Sequence, residues 1–231
     1  MSNSPPLALK VYGDFACFTR PEFKVERISY DVITPSAARG ILEAIFWKPE
    51  MSYRIEKIHV LNPIQHFSIW RNEVNNCQSE SSAKSWAKTG VGGYFADGDR
   101  AQRHTLGLRN VAYLIEAQIN LKPHATANIA KYRDQFRRRV QRGQCHHQPY
   151  FGTREFSAFF EPPTGQEQAI DRTDELGLML YDLEFQPAPK GFIQYRQQDA
   201  QGRRIISGNA RPRFFAARLE QGILTIPPQP L

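Results

Sequence analysis

Two stretches of this chain carry apolar residues at helical spacing while the other periodic stretches alternate, so the order of the two kinds of element restricts the fold first. Thr34-Pro35-Ser36 opens one helix: Thr34 can cap it, and Pro35 takes the first helical position, where its missing N–H costs nothing. Ala38, Ile41, Leu42 and Ile45 recur on one face until Lys48-Pro49 ends the pattern. Pro123 and Thr126 introduce the other helix, which carries Ile129, Tyr132, Phe136 and Val140 and stops at Gly143. Around them, residues 7–12 set Leu7, Leu9 and Val11 against Ala8, Lys10 and Tyr12, predicting a first strand that ends at Gly13-Asp14. Residues 53–61 predict a second strand, bulged near Glu56-Lys57 where the alternation changes phase, and residues 64–69 predict its neighbour. Residues 111–121 and 153–160 supply the remaining main strands. Strand, helix, strand, strand, helix, strand is the split β-α-β order of a ferredoxin-like fold.

Residues 72–103 interrupt that order with a polar, Gly-rich segment centred on Gly90-Val91-Gly92-Gly93, expected as a long mobile loop or an excursion hairpin. After Glu161-Pro162-Pro163-Thr164-Gly165 only β runs remain, at residues 178–185, 192–195 and 213–219. The expected class is therefore α+β: a ferredoxin-like (RRM-like) domain over residues 1–160 and a small antiparallel β-sheet domain over residues 161–231. With 231 residues and 41% hydrophobic content, the chain can bury a core without staples. Cys17, Cys77 and Cys145 are odd in number and form no C-x-x-C pair, which argues against a disulfide framework or a zinc knuckle. The first residues lack a signal-peptide pattern and no stretch approaches the roughly 18 apolar residues of a membrane span, so a cytoplasmic, soluble protein is expected.

Charge narrows the class of partner. Between Lys131 and Arg154 stand seven Lys/Arg against one Asp, a local +6 out of a formal net charge of +7. On the second helix Arg133 and Arg137, and Arg138 and Arg142, repel at i,i+4, and an external anion would relieve them. Nucleic acid fits this footprint. A membrane surface does not, because no amphipathic helix sets Trp/Phe/Leu opposite a basic face. Tyr150, Phe151, Phe156, Phe159 and Phe160 lie beside the basic residues, as base stacking in single-stranded RNA requires, and only one of Tyr150 and Phe151 can face inward on an extended chain. Cys145-His146-His147 suggests a metal, but adjacent side chains seldom turn to one ion and no H-x₃₋₅-H or C-x₂-C pair accompanies them; no metal and no cofactor is expected. A histidine there can instead move a proton near neutral pH or hydrogen-bond RNA. Neither a Walker-type loop nor a G-x-S-x-G elbow occurs.

Two segments carry a family resemblance. One runs from Glu26-Arg27-Ile28-Ser29-Tyr30 through Thr34-Pro35-Ser36-Ala37-Ala38-Arg39-Gly40-Ile41-Leu42-Glu43-Ala44-Ile45-Phe46-Trp47-Lys48-Pro49. The other runs from Phe136-Arg137-Arg138-Arg139 through Gly143-Gln144-Cys145 to Gly152-Thr153-Arg154-Glu155-Phe156. Together they resemble the Cas5 proteins of type I-C CRISPR systems, called Cas5d, members of the RAMP superfamily. The resemblance implies a ferredoxin-like RAMP domain followed by a small β domain. It also implies a metal-independent endoribonuclease that cuts precursor RNA in the CRISPR repeat by 2′-OH attack, then stays on the crRNA 5′ handle beside Cas7-like and Cas8-like Cascade subunits. Such proteins place a Tyr at the end of the first helix and a Lys-His pair at the start of the second; here these positions read Phe46 and Lys131-Tyr132. The catalytic candidates are Lys131 as transition-state cation, Tyr132 and His147, with Tyr30 and His146 as further places for displaced acid-base work. The RNA-binding candidates are Arg39, Lys48, Arg137, Arg138, Arg139, Arg142 and Arg154. The loss of the Tyr and His leaves a purely structural, handle-binding subunit as the alternative.

Overall fold

The computed structural model describes residues 5–23, 25–199 and 202–229. Strand β1 (Leu7–Ala16) buries Leu7, Leu9 and Val11 by simple alternation. It outruns its predicted end because Gly13 slips under the following chain: a Cβ there would stand 2.8 Å from the Ser157 carbonyl oxygen. After the two-residue β2 (Arg27–Ile28), helix α1 (Pro35–Ile45) starts as its sequence dictates, with Thr34 Oγ1 accepting the Ala37 N–H at 3.3 Å. Its buried stripe is Ala38, Ile41, Leu42 and Ile45, and it ends when Phe46 turns extended. Strand β3 (Met51–Val60) shifts register between Ile55 and Lys57, at the predicted bulge.

Strand β4 (Gln65–Val74) corrects the sequence reading. It pairs not with β3 but with the first half of β5 (Arg100–Leu121), Gln65 opposite Arg109 through Val74 opposite Arg100. Beside the connection to β4 both edges of β3 are taken, one by the second half of β5 and the other by β10 (Ile223–Thr225) at Lys57–His59, so β4 does not fold back on β3. Asn110, at φ 51°, marks the point where β5 changes partners. The excursion is thus a hairpin, and its tip holds α2 (Glu80–Thr89), which was not expected. This helix is capped by Ser79 and by left-handed Gly90 and buries no residue, so it lacks the apolar stripe that reveals a helix in sequence.

Helix α3 (Ile129–Gln141) is capped by Asn128, whose Oδ1 accepts the Lys131 N–H at 3.1 Å, and ends at Gly143 with φ 61°. Tyr132, Phe136 and Val140 face the core, with Arg133 beside them. The last strand of this unit, β6 (Phe159–Glu161), is far shorter than the predicted 153–160. The chain before it turns back instead: Phe151 N–H donates to the Phe156 carbonyl at 2.7 Å, and Gly152 lies so close to β1 that a Cβ would stand 2.0 Å from the Cys17 carbonyl oxygen. Strands β7 (Asp174–Pro187), β8 (Ile193–Asp199) and β9 (Gly202–Glu220) overlap the three later β runs and are longer than them, β8 starting one residue after its expected run.

The sheet runs β6-β1-β5-β3-β10-β9-β7, with β2 and β4 also on β5 and β8 also on β9. The result is a mixed α/β fold, mostly antiparallel sheet, with three α-helices among the described residues. Strand β10 makes the sheet continuous from the first unit into the last strands, and one core cluster spans both, from Leu9 and Ile41 to Phe215 and Leu224. Helix α1 packs on both β3 and β7, which leaves a stripe of small and polar residues, Ser36, Gly40 and Glu43, facing outward, with Trp47 exposed just past the helix end. No helix among the described residues is long and apolar enough to cross a membrane.

Candidate functional site

The outward stripe of α1 borders two adjoining clefts. The first, of 540 Å³, lies between the C-terminal end of α1, helix α3 and the chain after it, and is lined by Glu43, Phe46, Trp47, Lys48, Arg139 and His147, with Pro49 and His146 completing it. Arg139 is its fixed charge. Its Nη1 donates to the Ile45 carbonyl at 2.7 Å and its guanidinium carbon stands 5.4 Å from the centre of the Phe46 ring. Phe46 is held in turn by Tyr53, whose hydroxyl donates to the Phe46 carbonyl at 2.7 Å. The α1 C-terminus also receives the histidine segment, since the His146 N–H donates to the Ala44 carbonyl at 2.8 Å. The His146 and His147 rings stand 5.8 Å apart. On the opposite wall, burial pushes the Glu43 carboxyl up, against the pull of Arg39 and with added repulsion from Asp182.

The second cleft, of 340 Å³, shares His147 with the first and extends along α1 toward its N-terminus, past Ala44, Gly40, Ala37 and Ser36. Tyr150 and Gly152 form one side, Leu180 of β7 another. The turn that carries Tyr150 is anchored from outside by Glu155, which accepts hydrogen bonds from Arg71 of β4 and from Arg27, the latter at 3.4 Å. Partial burial opposes the charge on Glu155, but the Arg71 hydrogen bond and charge, the Thr153 hydroxyl and Arg27 outweigh it and hold this carboxyl below the usual range.

Of the sequence candidates, Lys48, Arg139 and His147 meet in the first cleft, with His146. Lys131 is exposed in the first turn of α3, and none of the described side chains pairs with it. Its neighbour Tyr132 is buried, and its hydroxyl donates to Glu50 Oε2 at 3.2 Å; burial and then the Glu50 charge push this phenol up, which suits a structural strut better than a proton carrier. The Tyr132–Glu50 contact ties the first turn of α3 to the residue after Pro49, but Lys131 itself lines neither cleft. Tyr30 is fully buried, its hydroxyl accepting the Leu180 N–H at 3.1 Å, and it lines neither cleft.

The basic residues divide. Arg39 turns away from the clefts to a double hydrogen bond with Asp182 and an ion pair with Glu43, so its charge is answered within the fold. Arg137 borders a separate hollow with Pro6, Leu7 and Pro163, whereas Arg138, Arg142 and Arg154 are exposed. Arg133, not among the candidates, is buried and donates to the Pro5 carbonyl. Sequence reasoning passed over Glu43, Trp47 and Gly40. The readable signal was positional: residues 36, 40 and 43 share the helix face opposite the apolar stripe. Among the described residues no group of three His, Cys, Asp or Glu is placed to hold a metal ion.

Comparison with known proteins places this arrangement. The family described as CRISPR-associated protein (Cas_Cas5) matches residues 6–227. A protein of Thermus thermophilus named CRISPR pre-crRNA endoribonuclease Cas5d is 47% identical over 222 residues, covering 96% of this chain and 91% of that one. One of the same name from Mannheimia succiniciproducens is 41% identical over 234 residues, covering 96% and 95%. Among solved structures, a crystal structure of a CRISPR-associated protein aligns over 99% of this chain and 95% of its own at TM-score 0.64 and 18% identity. A functionally uncharacterized protein from Streptococcus mutans aligns over 97% and 93% at TM-score 0.63, also at 18% identity. With sequence match running from one end of the described fold to the other, the chain belongs to the Cas5d family of CRISPR-associated proteins.

Proposed function

We propose that this protein is a CRISPR pre-crRNA endoribonuclease that cuts precursor RNA within the repeat, without a metal ion, and then stays on the 5′ handle of the crRNA as a subunit of a Cascade complex in the cytoplasm. Two relatives more than 40% identical bear the name of that activity. The observation that carries the reading is the first cleft, where a fixed guanidinium, Arg139, faces two histidines on a surface otherwise rich in unpaired arginine. In our reading the strand order β6-β1-β5-β3, with α1 and α3 on one face, is ferredoxin-like, residues 1–160 form that RAMP domain, and residues 161–231 form the appended β unit that meets Cas7-like or Cas8-like partners.

The chemistry assigned to the cleft is transesterification. His147 removes the proton of the ribose 2′-OH, the O2′–P bond forms as the P–O5′ bond breaks, and His146 returns a proton to the leaving 5′-oxygen, giving a 2′,3′-cyclic phosphate and a 5′-hydroxyl. Arg139 within the cleft and Lys131 on the first turn of α3 offset the charge that accumulates on the pentacoordinate phosphate. Tyr132 braces the first turn of α3, which carries Lys131, against Glu50. Lys48, Arg138, Arg142 and Arg154 hold flanking phosphates, with Arg137 reaching a further one.

A second reading, a handle-binding subunit without cleavage, is favoured by Phe46, which has no exchangeable proton, and by the engaged hydroxyl of Tyr132. Purified protein incubated with its cognate repeat RNA in EDTA separates the two. One cut per repeat with cyclic-phosphate ends supports the nuclease; binding without cutting supports the second reading; cutting only after Mg²⁺ or Zn²⁺ is returned overturns the metal-free chemistry.

A further inference from the structure

Gly40 occupies the middle of α1, where glycine is destabilising relative to alanine, yet a Cβ built on it would meet nothing within 4 Å. Packing therefore does not require glycine there. What its missing side chain leaves is the floor of the second cleft. At 340 Å³ this cleft falls in the range of small-ligand sites, about 300–1,000 Å³. None of its lining residues bears a fixed charge, so a phosphate is not what it is built for. It offers instead the aromatic ring of Tyr150, the hydroxyls of Thr19 and Ser36, and apolar walls from Phe18, Ala44 and Leu180. The Tyr150 hydroxyl has no hydrogen-bond partner among the described residues. Thr34 and Ser36 share one hydrogen bond at 3.1 Å, which leaves further acceptor and donor capacity on Ser36.

We infer that the second cleft is a nucleobase subsite: it receives one unstacked base of the RNA whose phosphate lies in the first cleft, and so fixes which nucleotide stands next to the cut. The inference rests on the proposed RNA-processing function. The two clefts meet at His147, and Gly40 lies about 7.5 Å along the helix axis from Ile45, the residue before Phe46, close enough for neighbouring nucleotides to occupy both. An unpaired base turned out of its stack finds there the two things recognition requires, an aromatic face and hydroxyls for its edge. Cleft selection by the base and chemistry at the adjoining phosphate are then linked through the segment from His147 to Gly152, which borders both.

The test uses the intact protein and a set of cognate repeat RNAs in which each unpaired nucleotide in turn is replaced by an abasic ribose. Wild-type protein is expected to lose about tenfold in affinity at one position and little at the others. Gly40→Leu fills the cleft and should lose about tenfold on the unmodified RNA while becoming indifferent to the abasic change at that same position, the non-additive pattern of two changes to one contact. Gly40→Ala, smaller, should retain most of the affinity, and thermal unfolding at or above the wild-type temperature shows that the helix is intact. Tyr150→Ala supplies the same comparison from the other wall. No sensitive position, or losses for Gly40→Leu and the abasic change that simply multiply, overturns the subsite while leaving RNA processing in place. Wild-type protein that binds none of the RNAs overturns the function and the subsite together.

Discussion

The Arg139 guanidinium is clamped against the end of α1, bonded at 2.7 Å to the carbonyl of Ile45 and lying 5.4 Å from the ring centre of Phe46. Of the arginines on α3, this one is turned inward to the cleft, and its two anchors fix a planar group where a mobile ammonium would swing. Arg139→Ala is therefore expected to lower the single-turnover rate on repeat RNA by about 10²-fold. Arg139→Lys should recover little of it, although the charge is restored. A lysine variant that cuts at the wild-type rate would show that charge alone matters and that the clamp does not.

Solvent-facing arginines act differently. Arg138 and Arg142 are exposed, have no ion-pair partner among the described residues, and lie on one face of α3 and its C-terminal cap. Replacing both with alanine should weaken binding evenly across RNA sequences and reduce the magnitude of the slope of log K against log[salt] by about 1–2. Titrations at several salt concentrations give the slope directly; no change in it would remove these residues from the interface.

Glu155 ties the turn beside the second cleft to β4, and its depressed ionisation has a pH signature. Because its folded-state value lies below its unfolded one, the stabilisation is present above about pH 4.3, the ordinary glutamate range, and is lost as pH falls through the lower folded value. Glu155→Gln should thus unfold at a lower temperature than wild type near neutral pH, and the difference should close in acid. Melting curves across that range check it, and a constant difference at all pH values would contradict the assignment.

How far these features could be read beforehand follows from which forces leave a trace in sequence. Ala38, Ile41, Leu42 and Ile45 spell α1 because burial repeats every turn, and Thr34-Pro35 marks its start because capping is local. The bulge near Glu56 showed as a phase change in alternation. By contrast, β4 pairs with β5 where β5 and β10 already occupy both edges of β3 beside the connection, a fact about topology that residues 64–74 do not encode. Polar α2 has no apolar stripe, and the turn at residues 150–157 exists because Gly152 must pass close to Cys17, over 130 residues away in sequence. The site divides likewise. Charge and histidines were visible in composition, Tyr150 and Phe151 divided as alternation required, with Phe151 buried and Tyr150 on the cleft. That Arg39 would turn to Asp182, and that Tyr132 would be tied to Glu50, depended on long-range partners.

The last prediction concerns Lys131 and Phe46, at the two positions where the family resemblance and this chain's chemistry meet. Lys131 is exposed at the first turn of α3 and engages none of the described side chains, so Lys131→Ala should leave the fold unchanged. If its charge stabilises the phosphorane, the single-turnover rate falls by about 10²-fold or more while RNA affinity changes little. Phe46→Tyr adds a hydroxyl to a ring that lines the cleft beneath Arg139, and the rate should rise, since a proton donor then stands beside the reacting phosphate. His147→Ala should abolish what His146 alone cannot carry. Wild-type rates for Lys131→Ala and Phe46→Tyr, with complete loss for His147→Ala, would confine the chemistry to the histidines and Arg139 and remove Lys131 and Phe46 from the mechanism.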